Sequence, residues 1–328
     1  MLQTRSVLRD GVIHPPTGLE IIVADHCNIT CRQCNHGSPA IGKWYASPED
    51  IGRDLAMLAR HYRPAFLKYI GGEPLLHPDL PGILRAGRAS GIASHHMLVT
   101  NGMLLDRMPA EAWPLLDEIE VSHYPAAGLS ESDLARHRAT AKAHGVRFTL
   151  NAYAEFRRTF TRIRNDDDAL VEKIFKACKP ANVWGCHGIY KGAIYRCPQS
   201  IYAPRLAGTE DFDGFVLAES ADFAARLLAF LNAQQPLASC RYCVGTVGKK
   251  EPHILLGRKV WSADLDIPAS EMIDARLLAE SLENFVLVDD CKTPEHRMKK
   301  AGRLQRFLAR LHYRPKRLRK ATHRRPGP

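Results

Sequence analysis

Three cysteines within eight residues form the densest chemical feature of the chain: Cys27-Asn-Ile-Thr-Cys31-Arg-Gln-Cys34, a C-x3-C-x2-C spacing. The opening MLQTRSVLRDGVIHPP has no apolar stretch of signal-peptide length, so clustered thiols here point to metal ligation rather than disulfides. Three thiolates on a short loop can each bind one iron of a four-iron cluster and leave the fourth iron open. An incomplete ligand set is what a reactive metal site needs, as the open position of catalytic zinc enzymes shows. The vacant iron can chelate an amine and a carboxylate. A zinc site or a disulfide cluster is the plainer alternative.

A second group, Cys178, Cys186, Cys197, Cys240 and Cys243, lies in the other half of the chain, and Cys291 stands alone. Nine cysteines is an odd number, so disulfides would leave one unpaired.

Short apolar runs alternate with amphipathic segments through the first half. Residues 18–24, 66–70, 97–100, 119–122 and 146–152 read as strands, with helical pattern between each pair. The helix over 48–61 starts at Ser47, whose hydroxyl can cap it with Asp50 three residues on. This alternation predicts right-handed parallel crossovers, in an open α/β sheet or a partial barrel. Ligands of such sheets gather at the carboxyl ends of the strands. Those ends carry His26-Cys27, then Gly71-Gly72-Glu73-Pro74, then Asn101-Gly102, then Ser122-His123-Tyr124-Pro125, so the chemically suggestive groups share one rim. After about residue 165 the pattern changes to a hairpin turning at Lys191-Gly192 and a helix over 223–232.

With 328 residues and 45% hydrophobic composition the chain can bury a substantial core, which excludes a disordered or fibrous protein. No apolar run reaches membrane-helix length, and a soluble cytoplasmic protein is expected. The net charge of +11 is local: residues 297–328 hold 13 Lys or Arg and no acid, and without them the balance is −2.

The three-cysteine loop and its rim resemble the radical S-adenosylmethionine (SAM) superfamily. The resemblance covers about residues 18–155. It implies a partial (β/α)6 barrel of parallel strands and a catalytic [4Fe-4S] cluster on Cys27, Cys31 and Cys34. The open iron would hold the amino acid end of SAM, and an electron would cleave the sulfonium to a 5′-deoxyadenosyl radical that abstracts a substrate hydrogen. Gly71, Gly72, Glu73 and Pro74 look like the family's GGE motif, which receives the SAM amino group. Asn101 and Ser122 match later strand ends that approach the ribose and carboxylate. His123 and Tyr124 are the candidate catalytic side chains, because they follow Ser122. The position before the third cysteine is usually aromatic in this family, and here it is Gln33.

The second cysteine group resembles the short Twitch/SPASM-like auxiliary-cluster module, with Gly192-Ala-Ile-Tyr-Arg-Cys197 and Cys240-x2-Cys243 fitting its pattern. Four thiolates would hold a second, auxiliary [4Fe-4S] cluster. Five candidates are present. Cys178 fits the longer spacing of the module, whereas Cys186 is the residue across the hairpin from Cys197, with Cβ atoms about 5 Å apart. Structural zinc is the alternative for this module. Gly245-Thr-Val-Gly248-Lys249-Lys250 is not read as a phosphate loop, because the glycines are too close and Lys250 replaces the magnesium-binding hydroxyl.

Leu304, Phe307, Leu308 and Leu311 mark an amphipathic helix in the basic tail, read first as a docked C-terminal helix followed by a solvated tail and alternatively as a contact for anionic lipid, RNA or an acidic protein. The expected organisation is a core over residues 1–165, the last barrel elements and the auxiliary module over 166–290, and a basic helix and tail over 291–328. The expected activity is oxidation or epimerisation of a small sugar-like or aminocyclitol metabolite, with flavodoxin or ferredoxin as electron donor. The rivals are peptide maturation, RNA modification and a non-catalytic metal-binding protein.

Overall fold

The computed structural model describes residues 5–283. A hairpin of β1 (Val7–Arg9) and β2 (Val12–His14) precedes β3 (Leu19–Ala24), whose six residues are all buried. Then come α1 (Pro48–Leu58), β4 (Leu67–Gly71), α2 (Leu80–Ser90), β5 (His96–Thr100), β6 (Glu118–His123), α3 (Glu131–Ala143) and β7 (Arg147–Ala152). The second half supplies β8 (Glu155–Arg157), α4 (Asp168–Ala177), β9 (His187–Tyr190), β10 (Ala193–Tyr195), α5 (Gln199–Ala207), β11 (Gly214–Val216) and α6 (Phe223–Leu231). It ends with β12 (Lys250–Pro252), α7 (Arg258–Ala263), α8 (Ala269–Met272) and α9 (Ala275–Glu283).

One eight-stranded sheet dominates, in the order β11-β10-β9-β3-β4-β5-β6-β7. Strands β3 to β7 pair in parallel in sequence order, as the alternation predicts. A sixth parallel strand, β9, joins at the opposite edge, with Leu19 across from His187. Its hairpin partner β10 and then β11 extend the sheet antiparallel, so the hairpin turning at Lys191-Gly192 belongs to the main sheet.

The cap read at Ser47 forms, and the structure adds one at Asp79. Ser47 Oγ accepts from Asp50 N at 3.2 Å, and Asp79 caps α2 through Gly82 N at 2.8 Å. One expectation fails: β5 and β6 are joined not by an α-helix but by two 3-10 turns, Leu105–Arg107 and Ala110–Leu115. Pro109 precedes the second and Pro114 lies within it, and a proline has no N–H for an α-helical bond.

Strand alternation sorts the sheet into two faces. Leu19, Ile21, Val23, Leu67, Tyr69, Leu98, Ile119 and Val121 form a core with Leu55, Leu58, Ile83 and Leu84 of α1 and α2. The alternate residues, including Glu20, Lys68, Glu120, Ser122 and Asn151, point to the inner face, and Glu20, Glu120, Ser122 and Asn151 are buried there. Lys68 Nζ is 3.3 Å from Glu20 Oε1. Among the described residues no helix is long and apolar enough to cross a membrane. Cys291 and the amphipathic segment around Leu304, Phe307, Leu308 and Leu311 lie outside the described residues.

Candidate functional site

The three-cysteine loop leaves β3 at Ala24 and lies against the end of β4. Gly72 N donates to Ala24 O at 2.8 Å and Glu73 N to His26 O at 3.0 Å. A Cβ on Gly71 would sit 2.2 Å from Ala24 O, and one on Gly72 would sit 2.1 Å from His26 O. Only glycines allow this approach, which sets Glu73 beside Cys27.

Glu73 is fully buried and held by three neutral donors. Thr100 Oγ1 and Leu75 N donate to Oε1 at 2.7 and 3.0 Å, and Asn101 N donates to Oε2 at 2.9 Å. A carboxylate offers about four lone-pair sites, so Oε2 keeps one for a further donor. Burial raises the Glu73 pKa, and its hydrogen bonds only partly offset that effect. An ammonium group arriving here would satisfy the remaining lone pair and balance the charge.

Burial pushes the Cys27 thiol up to about 12, helped by the nearby Glu73 carboxylate. Cys31 and Cys34 are raised as well, first by burial, and Cys31 also by the other two thiols. Asn101 Nδ2 lies 3.6 Å from Cys27 Sγ and 2.7 Å from Asn28 Oδ1, a donor directed at the sulfur. Three mutually interacting free thiols, a buried carboxylate with an open acceptor site and a side-chain amide on the sulfur fit an iron–sulfur cluster and an amine-bearing ligand.

Long-range contacts brace the loop. Asp25, wholly buried, accepts from both terminal guanidinium nitrogens of Arg205 of α5, at 2.7 and 3.2 Å, and from Tyr190 OH at 2.9 Å. Trp261 Nε1 of α7 donates to Cys31 O at 2.8 Å, and Arg32 pairs with Asp264 at 2.7 Å. Gln33 adopts a left-handed φ of 57° and reaches Glu251 and Asp264, at 3.4 and 3.3 Å. None of these partners has a sequence signal, because each lies more than 160 residues away.

Ser122 and Tyr124 share the inner side of the β6 end, and Tyr124 is close enough to Cys31 and Cys34 to feel their charge. His123 points to the other face, with Nε2 3.2 Å from Leu129 O, so the structure does not bring it to the thiols. Pro74 starts a 3-10 turn that carries the chain away from Glu73.

In the second group, Cys178, Cys197, Cys240 and Cys243 line one cavity, together with Ile174, Phe175 and Arg196. Cys197 is raised by burial and then by the three other thiols. Gly245, at φ 56°, donates its N–H to Cys243 Sγ at 3.3 Å, and a Cβ there would lie 2.9 Å from Cys178 Sγ. That is the structural part played by the first glycine of the 245–250 segment. Among the described residues no three His, Cys, Asp or Glu side chains converge as a single-ion shell; these thiols line the walls of a space instead.

Cys186 is not among them. The hairpin register holds as far as Tyr195 opposite Gly188 and then stops, because Pro198 turns the chain into α5. Cys186 Sγ lies instead 3.7 Å from Thr17 Oγ1. The cross-strand argument for Cys186 fails because the ladder ends before it reaches either cysteine.

Residues 21–187, about half the chain, match the family model described as the radical SAM superfamily. GTP 3′,8-cyclase of Chlorobaculum tepidum is 28% identical over 130 residues, 40% of this chain and 37% of that protein. PqqA peptide cyclase of Streptomyces rochei is 26% identical over 141 residues, 42% of this chain and 38% of that protein. The chain thus spans less than two fifths of the length of either relative. Among solved structures, BtrN in complex with AdoMet and 2-DOIA gives a TM-score of 0.38 at 14% identity, covering 66% of this chain and 83% of that one. That score is low, and the family assignment rests on the sequence match.

Proposed function

The chain belongs to the radical SAM superfamily, and from that premise we propose that Cys27, Cys31 and Cys34 hold the catalytic four-iron cluster while Glu73 receives the amino group of SAM. Held there, the cluster would supply one-electron reducing chemistry toward the SAM sulfonium. The protein's part is to position and to exclude water. Glu73 orients the ammonium through its open lone pair, Asn101 donates to the Cys27 sulfur, and Gly71 and Gly72 let the backbone come close enough for both. One observation carries the reading: three free thiols and a buried carboxylate with only neutral donors meet at the carboxyl rim of a parallel sheet.

Cys178, Cys197, Cys240 and Cys243 are proposed as ligands of an auxiliary cluster, on the strength of their shared cavity. The proposed substrate is a small polar metabolite of sugar or aminocyclitol type, oxidised or epimerised by hydrogen abstraction. The inner face supports that class: the Glu20–Lys68 pair and Glu120 suit hydroxyl and amino groups better than hydrocarbon. Likeness to PqqA peptide cyclase over 42% of the chain supports a peptide substrate as the second reading. A dithionite-reduced sample supplied with SAM would separate the two, since cleavage stimulated by peptide favours the second.

The decisive experiment is anaerobic reconstitution, iron counting and assay of 5′-deoxyadenosine. About eight irons per chain are expected, four for each cluster. Full SAM cleavage by a Cys31→Ala variant would refute the proposal.

A further inference from the structure

Eleven buried side-chain polar atoms lack a hydrogen-bond partner among the described residues, and four of them belong to just two side chains, Asn151 and His253. Both are more than nine-tenths buried, at 1% and 6% exposure. Both face one corner of the rim. Asn151 of β7 is in register with Ser122 of β6. His253 follows β12, and its backbone N–H reaches Ala154 O, just past β7, at 2.9 Å. Its ring stacks on Tyr124, with centroids 5.0 Å apart and planes at 21°, and meets Phe156 edge-on at 5.1 Å. Tyr153 lies against Tyr124 at 5.9 Å, and Tyr124 is the side chain that feels the charge of Cys31 and Cys34.

A ring needed only to fill the space between Tyr124 and Phe156 would do better as a phenyl group. Two imidazole nitrogens buried without partners weaken the fold, and buried polar groups are nearly always paired. Local costs of this kind are expected where an occupant later supplies the missing bonds. Around this corner Tyr124, Tyr153 and Phe156 are half-buried and supply ring surface, while His253 and Asn151 carry donors and acceptors that no described protein group takes up, a set of side chains suited to a planar polar occupant. SAM has one planar part, its purine, which carries both an amino donor and ring-nitrogen acceptors.

We propose that His253 is a ligand-contacting residue whose imidazole hydrogen-bonds the purine of SAM through one ring nitrogen, in the aromatic corner beside Cys31 and Cys34. The proposal rests on the reading of Cys27, Cys31, Cys34 and Glu73 given above, and it adds a residue from outside the segment that matches the family. His253 sets affinity for the nucleoside end, as Glu73 does for the amino acid end.

The test is His253→Phe, which keeps the stacked ring and removes both nitrogens, with His253→Gln as a variant that retains a donor and an acceptor. Equilibrium dialysis of the reconstituted protein against SAM, and separately against 5′-deoxyadenosine, gives the dissociation constants; thermal melts give stability. The Phe variant should melt at or above the wild-type temperature and bind both ligands about tenfold more weakly, the loss of one hydrogen bond. The Gln variant should recover part of that affinity. Unchanged binding by the Phe variant overturns the proposal, as does weaker binding of SAM alone, or a melting temperature that falls with binding intact. If the wild type binds SAM but yields no 5′-deoxyadenosine on reduction, the reading of the thiol rim fails instead, while the affinity comparison still decides the part played by His253.

Discussion

Gly72→Ala is the most direct probe of how the fold sets the site. The added methyl would lie 2.1 Å from His26 O, 2.4 Å from its carbonyl carbon and 2.8 Å from Asp25 O, all backbone atoms of the segment that leads into Cys27. Ordinary carbon contacts begin near ~3.5 Å, so the loop must retreat by more than about 1 Å. That retreat strains the bonds from Gly72 N to Ala24 O and from Glu73 N to His26 O, which keep Glu73 beside Cys27. Overpacking of this kind costs about 1–3 kcal/mol, and a displacement near 1 Å at reacting groups costs about 10²-fold in rate. Melting should therefore fall by several degrees and 5′-deoxyadenosine formation by about two orders of magnitude. Gly52→Ala is the control. It lies inside α1 with its nearest foreign atom, Ala86 Cβ, at an ordinary 3.7 Å, and should raise stability by about 0.5–1 kcal/mol with activity intact. A Gly72→Ala protein that melts and turns over like the wild type would refute the argument that this close approach positions the site.

Cys178→Ala should lower the iron count from about eight to about four per chain, whereas Cys186→Ala should leave it unchanged; loss of iron from the Cys186 variant would reverse the assignment made from the shared cavity. Arg205→Gln strands the buried Asp25 carboxylate and should cost on the order of 3 kcal/mol in urea unfolding. Adding Asp25→Asn should restore part of it, and an additive double variant would show the pair to be uncoupled. Burial, with Arg88 and Arg196 respectively, holds His96 near about 4 and His187 near about 3, below the ordinary 6.5. Both rings stay neutral in the fold, so their contribution is present above pH 6.5 and is lost as pH falls towards 4, by about 1.4 kcal/mol per pH unit for each. Melting of the cluster-free protein across that window should show the slope, and His96→Asn should reduce it.

The parallel core was legible because each strand is a short apolar run closed by a turn signal and α1 announces its start at Ser47; the Asp79 cap of α2 comes from the structure. Spacing alone put Cys27, Cys31 and Cys34 on one loop, and strand order alone put Gly71 to Glu73, Asn101 and Ser122 on the same rim. The apolar pattern of the β5–β6 connection reads as helical, but Pro109 and Pro114 limit it to 3-10 turns. Alternation sends Ser122 and Tyr124 to one face of β6 and His123 to the other, where its ring meets Leu129 O.

What the sequence determined by itself was local chemistry: which thiols are near each other along the chain, where the backbone can do without a Cβ, and which segments prefer strand or helix. Those preferences are short-ranged, set by neighbours a few residues apart. Only the tertiary structure decided that Cys178 rather than Cys186 shares a cavity with Cys197, Cys240 and Cys243. It alone showed β9 entering the sheet beside β3, Arg205 neutralising Asp25, and His253 lying on Tyr124. These contacts join residues about 130 to 180 positions apart. Burial of the whole core, rather than any local motif, supplies the free energy that closes such long loops.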